Sequence, residues 1–339
     1  MISRLIFLIT TYNALPALKR CLRSIQEQGR DIPHRVYIAD DASKDGTRQY
    51  LKTIAKREGI HAYFPAHNLG KAALLNVLAD RCAREPGWRV CLDDDAEITE
   101  SWIKTLASHL PRYSAASIIG CRNVDHASKI HSAELILGIG WGHGEYDLGQ
   151  RNYVRFCDGV SGACMIVRED ALRKERFNEV MRQQLEDSDF CFRVRKGGGK
   201  ILYYGKAWIR HEHLLRNAPR SLTNESGKIL SSRWGIPSFS DSHPLDALHA
   251  SIRANRMKKN WPEMLIACRR LAATDPAPTY AHWFTGIALF NMGRIEETRG
   301  WLKKALKAPY LNPITRARMG LALHYYVGCD RTTLIQSRP

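Results

Sequence analysis

At 339 residues, with 44% hydrophobic and 25% charged content, the chain has the makeup of a globular protein with room for about two cores, which excludes fibrous and disordered classes. Lys and Arg (51) outnumber Asp and Glu (34), giving a net charge of +17 that favours an anionic partner: a phospholipid surface, a phosphorylated glycolipid or a nucleic acid. The nine cysteines form no Cys-x-x-Cys pair, which argues against a zinc site or a disulfide framework and for reduced thiols in a cytosol.

Residues 5–9 read as a buried strand. Thr10-Thr11-Tyr12-Asn13 follows, not a small-residue cleavage site, so a signal peptide is not expected. No later segment is long and apolar enough to span a bilayer, and the expected location is cytoplasmic, peripheral at most at the inner face of the cell membrane. Leu15, Leu18, Leu22 and Ile25 set a helical spacing over 15–28. A second strand over 36–39 ends in Asp40-Asp41, and Asp45-Gly46-Thr47 opens a helix to about residue 57. A third strand is predicted at 61–64, a helix at 70–83 and a fourth strand at 89–92, which ends in Asp93-Asp94-Asp95. This repeated β-α-β order predicts an α/β fold with a mostly parallel sheet and helices on both faces.

The polar clusters lie at the carboxyl ends of the predicted strands: 10–13, 40–41, 68–71 and 93–95. Ends of adjacent parallel strands share one sheet edge, so these residues should converge on one crevice. Clustered carboxylates there suit Mn²⁺ or Mg²⁺; the competing reading is an acidic turn that caps the next helix. Residues 120–160, rich in Gly and His, read as irregular and as a substrate-facing flap. Residues 218–244, rich in Ser, Pro and Asn, read as a linker, and 245–327 as helical throughout.

Eight segments together resemble a family 2 glycosyltransferase of the GT-A fold: Thr10 to Asn13, Asp40 to Thr47, Asn68-Leu69-Gly70-Lys71, Leu92-Asp93-Asp94-Asp95, Val160 to Cys164, Phe177-Asn178-Glu179, Glu186-Asp187-Ser188-Asp189 and His211 to Arg216. Each is weak alone, and their order and spacing carry the resemblance. It implies transfer of a sugar from a nucleotide diphosphate donor, with inversion at the anomeric carbon. Three regions are then expected: a GT-A catalytic domain at 1–217, a linker at 218–244 and a tetratricopeptide-like helical domain at 245–330.

The resemblance implies roles. Asp41 would accept a hydrogen bond from the imide N–H of a uracil or thymine base, Tyr12 would stack on the base, and Thr10 sits in the loop that touches it. Asp40 ranks below Asp41, as a turn stabiliser. Asp95 would be the direct metal ligand and His211 would complete the shell, while Asp93 and Asp94 would bind ribose or metal-bound water. Lys71, at a helix start, and Arg216 would face the diphosphate. Asp187 would be the base that takes the acceptor hydroxyl's proton, with Glu186 beside it. The bland readings are an exposed helix lysine for Lys71 and an acidic helix cap for 186–189. One departure is Glu175-Arg176-Phe177-Asn178-Glu179, where the family often has Gly-Gly-Phe-Asp-Glu.

In the tail, Gly286, Leu289, Gly293, Leu302, Ala305 and Leu306 fall where a tetratricopeptide repeat has small and apolar residues, although Thr298 stands where alanine is usual. Packing on the catalytic domain, a homodimer or a protein partner are its candidate roles, and Arg253, Arg256, Lys258, Lys259, Arg269 and Arg270 could hold an anionic acceptor. The expected activity is metal-dependent transfer from a nucleotide-sugar donor, UDP-sugar favoured, to a glycan or glycolipid acceptor. A lipopolysaccharide core or lipid-linked oligosaccharide fits, reached at an anionic membrane surface. Two alternatives stand: a glycosyltransferase acting on hydroxymethylated bases in DNA, and a non-enzymatic helical-repeat interaction protein with a relic transferase domain.

Overall fold

The computed structural model describes residues 4–56, 59–136, 140–141, 146–149, 151–182, 184–212, 220–234, 244–274, 279–307 and 313–328. The chain divides into two compact units. The first takes in 1–145 and 154–239, and the second 146–153 and 240–339.

The first unit runs β1 (Leu5–Thr11), α1 (Leu15–Gln28), β2 (His34–Asp40), α2 (Thr47–Ile54), β3 (Ile60–Tyr63), α3 (Lys71–Arg81), β4 (Trp88–Asp93) and β5 (Ala96–Ile98). It continues through β6 (Ile118–Val124), β7 (Ile130–Ser132), β8 (Glu134–Ile136), β9 (Gly140–Trp141), β10 (Val154–Cys157), β11 (Gly159–Val160), β12 (Cys164–Val167), α4 (Glu169–Lys174), α5 (Glu186–Lys196), β13 (Ile201–His211) and α6 (Arg220–Trp234). The large sheet is ordered β10-β13-β6-β12-β4-β1-β2-β3, and a small sheet is ordered β11-β8-β9. In the large sheet β3, β2, β1, β4, β6 and β13 run one way, with β12 and β10 against them. The mostly parallel expectation therefore holds. Leu5, Ile6, Phe7, Leu8 and Ile9 are all at most 1% exposed, so this central strand is buried on both faces and its apolar run need not alternate.

Two spans differ from the sequence reading. Residues 120–160 are not irregular: they hold most of β6 and all of β7 to β11. Strands of two to four residues are too short to display a period-2 pattern, and pairing with other strands defines them instead. The glycines read as a flap (138–144) fall largely outside the described residues. Within the span read as a linker, Arg220–Trp234 is a helix. Its Ser and Asn content lowers helix propensity, and side-chain docking, described below, overrides that.

The second unit contains α7 (Pro244–Met257), α8 (Trp261–Thr274), α9 (Thr279–Asn291), α10 (Ile295–Leu306) and α11 (Pro313–Gly328), each in contact with its successor. Tyr280, Ala281, Trp283, Phe284, Ala288 and Leu289 of α9 are buried, so this helix is the unit's centre. A Cβ on Gly286 would come within 2.4 Å of Leu302 on α10, so the missing side chain sets how closely the two helices approach.

All eight described cysteines are free and buried. No helix among the described residues is long and apolar enough to cross a membrane.

Candidate active site

Parallel register brings the polar ends together. Thr10 lies beside Asp93 on one side and Ala39 on the other, one residue before Asp40. Asp94 and Asp95 form the turn from β4 to β5, and β5 pairs with the end of β13 so that Ala96 faces His211. That pairing delivers a histidine 116 positions away in sequence to the aspartate turn. His211 Nε2 lies 3.1 Å from Asp95 Oδ1 and 3.7 Å from Asp93 Oδ2.

Ligand atoms of Asp93, Asp95 and His211 all lie within 4.8 Å of one another, which makes them a group that could hold a metal ion. Asp95 (8% exposed) and His211 (4%) are buried, so only an ordered partner can compensate their polar atoms. Asp93 joins this group directly, where the sequence reading gave it to ribose or metal-bound water. Behind the histidine, Glu212 is held by Arg20 of α1 and by His126 Nε2 at 2.8 Å, which fixes the strand end that carries His211.

Lys71 is not the exposed helix lysine of the bland reading. Its Nζ sits 2.7 Å from Asp93 Oδ1 and 3.1 Å from Glu186 Oε1, so it bridges the metal-type cluster and α5. Burial works against the ammonium charge, but Asp93 and Glu186 outweigh it and hold the Lys71 pKa well above its ordinary value. Glu186 is 3% exposed; burial pushes its pKa up, Lys71 offsets part of that, and the Asp187 charge adds to it. Its other oxygen, Oε2, is buried with no hydrogen bond among the described residues.

Glu186 and Asp187 open α5 themselves, where the bland reading made 186–189 a cap ahead of the helix. Leu185 precedes them at φ 63°, a left-handed conformation unusual for leucine, and it turns the chain sharply into the helix. Asp187 Oδ2 accepts the Gly162 N–H at 2.7 Å and Oδ1 accepts the Ser188 N–H at 2.6 Å. Oδ1 also accepts from the Ser188 hydroxyl at 3.3 Å, so Oδ2 is the oxygen that keeps a lone pair for a substrate hydroxyl. A Cβ at Gly162 would lie 3.0 Å from the Asp187 Cβ, 3.3 Å from its Oδ2 and 3.4 Å from Lys71 Nζ. The absent side chain thus leaves room for two charged groups from distant segments to approach the same point.

On the other flank, the Asp41 carboxylate accepts the N–H groups of Leu69 (2.7 Å) and Gly70 (3.0 Å). Burial raises the Asp41 pKa, and these two amides work against the rise. Its oxygens retain lone pairs for a further donor. Asp40 pairs with Arg48 at 2.7 Å and is a turn stabiliser, as its lower ranking implied. Tyr12 is 36% exposed at the end of β1. Arg216, like His213, lies outside the described residues.

Two features had little sequence signal. Arg182 donates to the Asn68 carbonyl (2.9 Å) and side chain (3.0 Å), and its own carbonyl accepts the Lys71 N–H at 2.8 Å. It therefore ties the 178–182 segment to the loop that carries Lys71. The side chain of Asn76 accepts from the Phe177 N–H and donates to the Phe177 carbonyl and Glu179, so the segment where the family's glycines are missing is still fixed to α3.

A family model described as Glycosyl transferase family 2 matches residues 6–176, just over half of the chain. No curated protein sequence matches. Among solved structures, GalNAc-T7 with UDP, GalNAc and Mn²⁺ is similar at a TM-score of 0.54 and 13% identity, over 75% of this chain and 51% of that one. This chain thus spans about half the length of that protein. Mannosyltransferase PcManGT from Pyrobaculum calidifontis, in complex with GDP-Man and Mn²⁺, is similar at 0.47 and 17%, over 96% and 81%. S. aureus TarS is similar at 0.48 and 14%, over 87% and 54%. At such identity the first likeness speaks to a shared fold, and the two below 0.5 add nothing to it.

Proposed function

This chain belongs to glycosyl transferase family 2, and on that premise we propose that it is a metal-dependent inverting glycosyltransferase moving a sugar from a nucleotide-diphosphate donor, a UDP-sugar favoured, to a hydroxyl of a surface glycan. One observation carries the reading: Lys71 joins the Asp93–Asp95–His211 group to the Glu186–Asp187 helix start in a single crevice. This ion-paired link supports a donor site beside a base.

The donor set of two carboxylates and an imidazole fits Mn²⁺ or Mg²⁺. Held by Asp93, Asp95 and His211, such an ion would neutralise charge on the leaving diphosphate. Asp41 accepts from the base edge, Tyr12 stacks on the base, and Thr10 lines the same loop end. Asp94 contributes to the ribose side, and Arg216 to the diphosphate. An ammonium has three donors, so Lys71 keeps one for a phosphate oxygen after binding Asp93 and Glu186. Asp187 takes the proton of the attacking acceptor hydroxyl, and Glu186 orients that hydroxyl.

The acceptor we propose is a lipopolysaccharide core or lipid-linked oligosaccharide, approached at an anionic membrane face in the cytoplasm. The basic balance of the chain supports it: from residue 231 onward Lys and Arg number 16 against 7 Asp and Glu. A catalytic domain followed by a tetratricopeptide-like domain at 245–330 is our proposed division of labour.

The first test is calorimetric binding of UDP, GDP, CDP and dTDP, with and without Mn²⁺, to wild type and Asp95→Ala. One nucleotide should bind only with metal, and the variant should lose it. A folded wild-type protein that binds none of the four would overturn the transferase reading.

A further inference from the structure

The helix found inside the expected linker is fastened to the helix that carries the proposed base. Asp189 lies one turn into α5 and is 0% exposed. Its Oδ2 accepts from Arg193 Nε at 2.8 Å, within α5. Its Oδ1 accepts from two α6 side chains: Trp234 Nε1 at 2.9 Å and Arg233 Nη1 at 3.2 Å. The Trp234 ring also meets Phe192 edge-on, with centroids 5.6 Å apart, and Lys196 Nζ lies 6.0 Å from its centre. A buried carboxylate is costly unless every oxygen is paired, and α6 supplies two of the three donors, both to Oδ1. Burial raises the Asp189 pKa, but the Trp234, Arg193 and Arg233 donors outweigh it and leave it below the usual value.

The same residue closes the first turn of α5. The Asp189 N–H donates to the Leu185 carbonyl at 3.0 Å, and Leu185 is the left-handed residue that aims Glu186 and Asp187. A left-handed leucine persists only where its surroundings over-determine it. The turn is held at one end by Gly162 and Lys71, through Asp187 and Glu186, and at the other by α6, through Asp189.

We propose that Arg233 and Trp234 are positioning residues: α6 clamps Asp189 so that the first turn of α5 presents the Asp187 carboxylate to the acceptor hydroxyl. This rests on the assignment of Asp187 as base. The proposed catalytic unit therefore extends at least to Trp234, beyond the boundary at 217.

The test uses the full chain with Trp234→Phe, which keeps an aromatic ring but removes the indole N–H donor, Arg233→Lys, which keeps the charge, and the double variant Arg233→Met/Trp234→Phe. Three quantities are read: kcat for sugar transfer, nucleotide Kd in Mn²⁺, and hydrogen exchange of the amides at 187–189. The double variant should lose about 10- to 100-fold in kcat with nucleotide Kd within about twofold of wild type, because small misplacement of a reacting group costs rate rather than donor affinity. Exchange at 187–189 should quicken, and Arg233→Lys alone should retain most of the rate. Should the double variant not fold, Trp234→Phe alone carries the same expectation at a smaller size. A wild-type kcat with unchanged exchange overturns the proposal, and so does a parallel loss of rate and nucleotide affinity. If wild type binds no nucleotide, the transferase reading fails on its own. The exchange rates then decide alone whether α6 holds the turn: faster exchange upholds the clamp and unchanged exchange removes it.

Discussion

Asp187 and Gly162 act as a pair at the residue scale. Asp187→Asn keeps the shape and one acceptor oxygen but removes the basic carboxylate. Transfer should fall by about 10²- to 10⁴-fold while nucleotide binding stays near wild type, as measured by steady-state turnover beside calorimetry. Retained turnover would take Asp187 out of the base role. Gly162→Ala puts a methyl 3.0 Å from the Asp187 Cβ, closer than side chains tolerate without movement. Turnover should drop with little change in melting temperature, since the clash is with a side chain at the crevice and not with the sheet core. A variant with wild-type turnover would mean that Asp187 shifts freely and that its placement does not matter. The acidic residues were legible as candidates because several polar clusters fall at strand ends that share one sheet edge; alone, the aspartate turn read equally as a helix cap. Lys71 was legible only as a cation at a helix start. Its actual partners, Asp93 and Glu186, come from two other segments, and no local pattern in 68–75 announces them.

Long, repeated patterns were readable at the scale of elements. The helix at 15–28 agrees with α1, because an amphipathic stripe of that length has no rival explanation. The strands from β7 to β11 and helix α6 were not readable. The strands are too short to show a period, and α6 carries its decisive residues, Arg233 and Trp234, at its last turn, where they serve a partner rather than the helix itself. In the helical unit, Gly286 at its 2.4 Å approach to Leu302 makes a clean test. Gly286→Ala should destabilise by about 1–3 kcal/mol through overpacking, read as a lower melting temperature. In a double-mutant cycle with Leu302→Ala, a buried residue, the two losses should be less than additive, because the truncation removes the clash. A neutral Gly286→Ala would show that α9 and α10 have slack between them.

For the whole molecule, charge is the feature with the longest reach. A net +17 should draw the protein to anionic vesicles in co-sedimentation, and raising the salt should release it, because exposed charges are screened beyond roughly 10 Å at 0.1 M. Equal sedimentation with neutral vesicles, or salt-sensitive binding to duplex DNA alone, would remove the membrane face from the proposal. Composition and periodicity by themselves determined an α/β sheet followed by helices, with aspartates at its carboxyl edge, because buried strands and amphipathic helices leave local, repeating marks. The resemblance had already put His211 with Asp95; only the tertiary structure decided that Asp93 joins them, that Lys71 spans to Glu186, and that α6 fastens Asp189. Those contacts join residues far apart in sequence through strand register and helix docking, which local pattern does not encode.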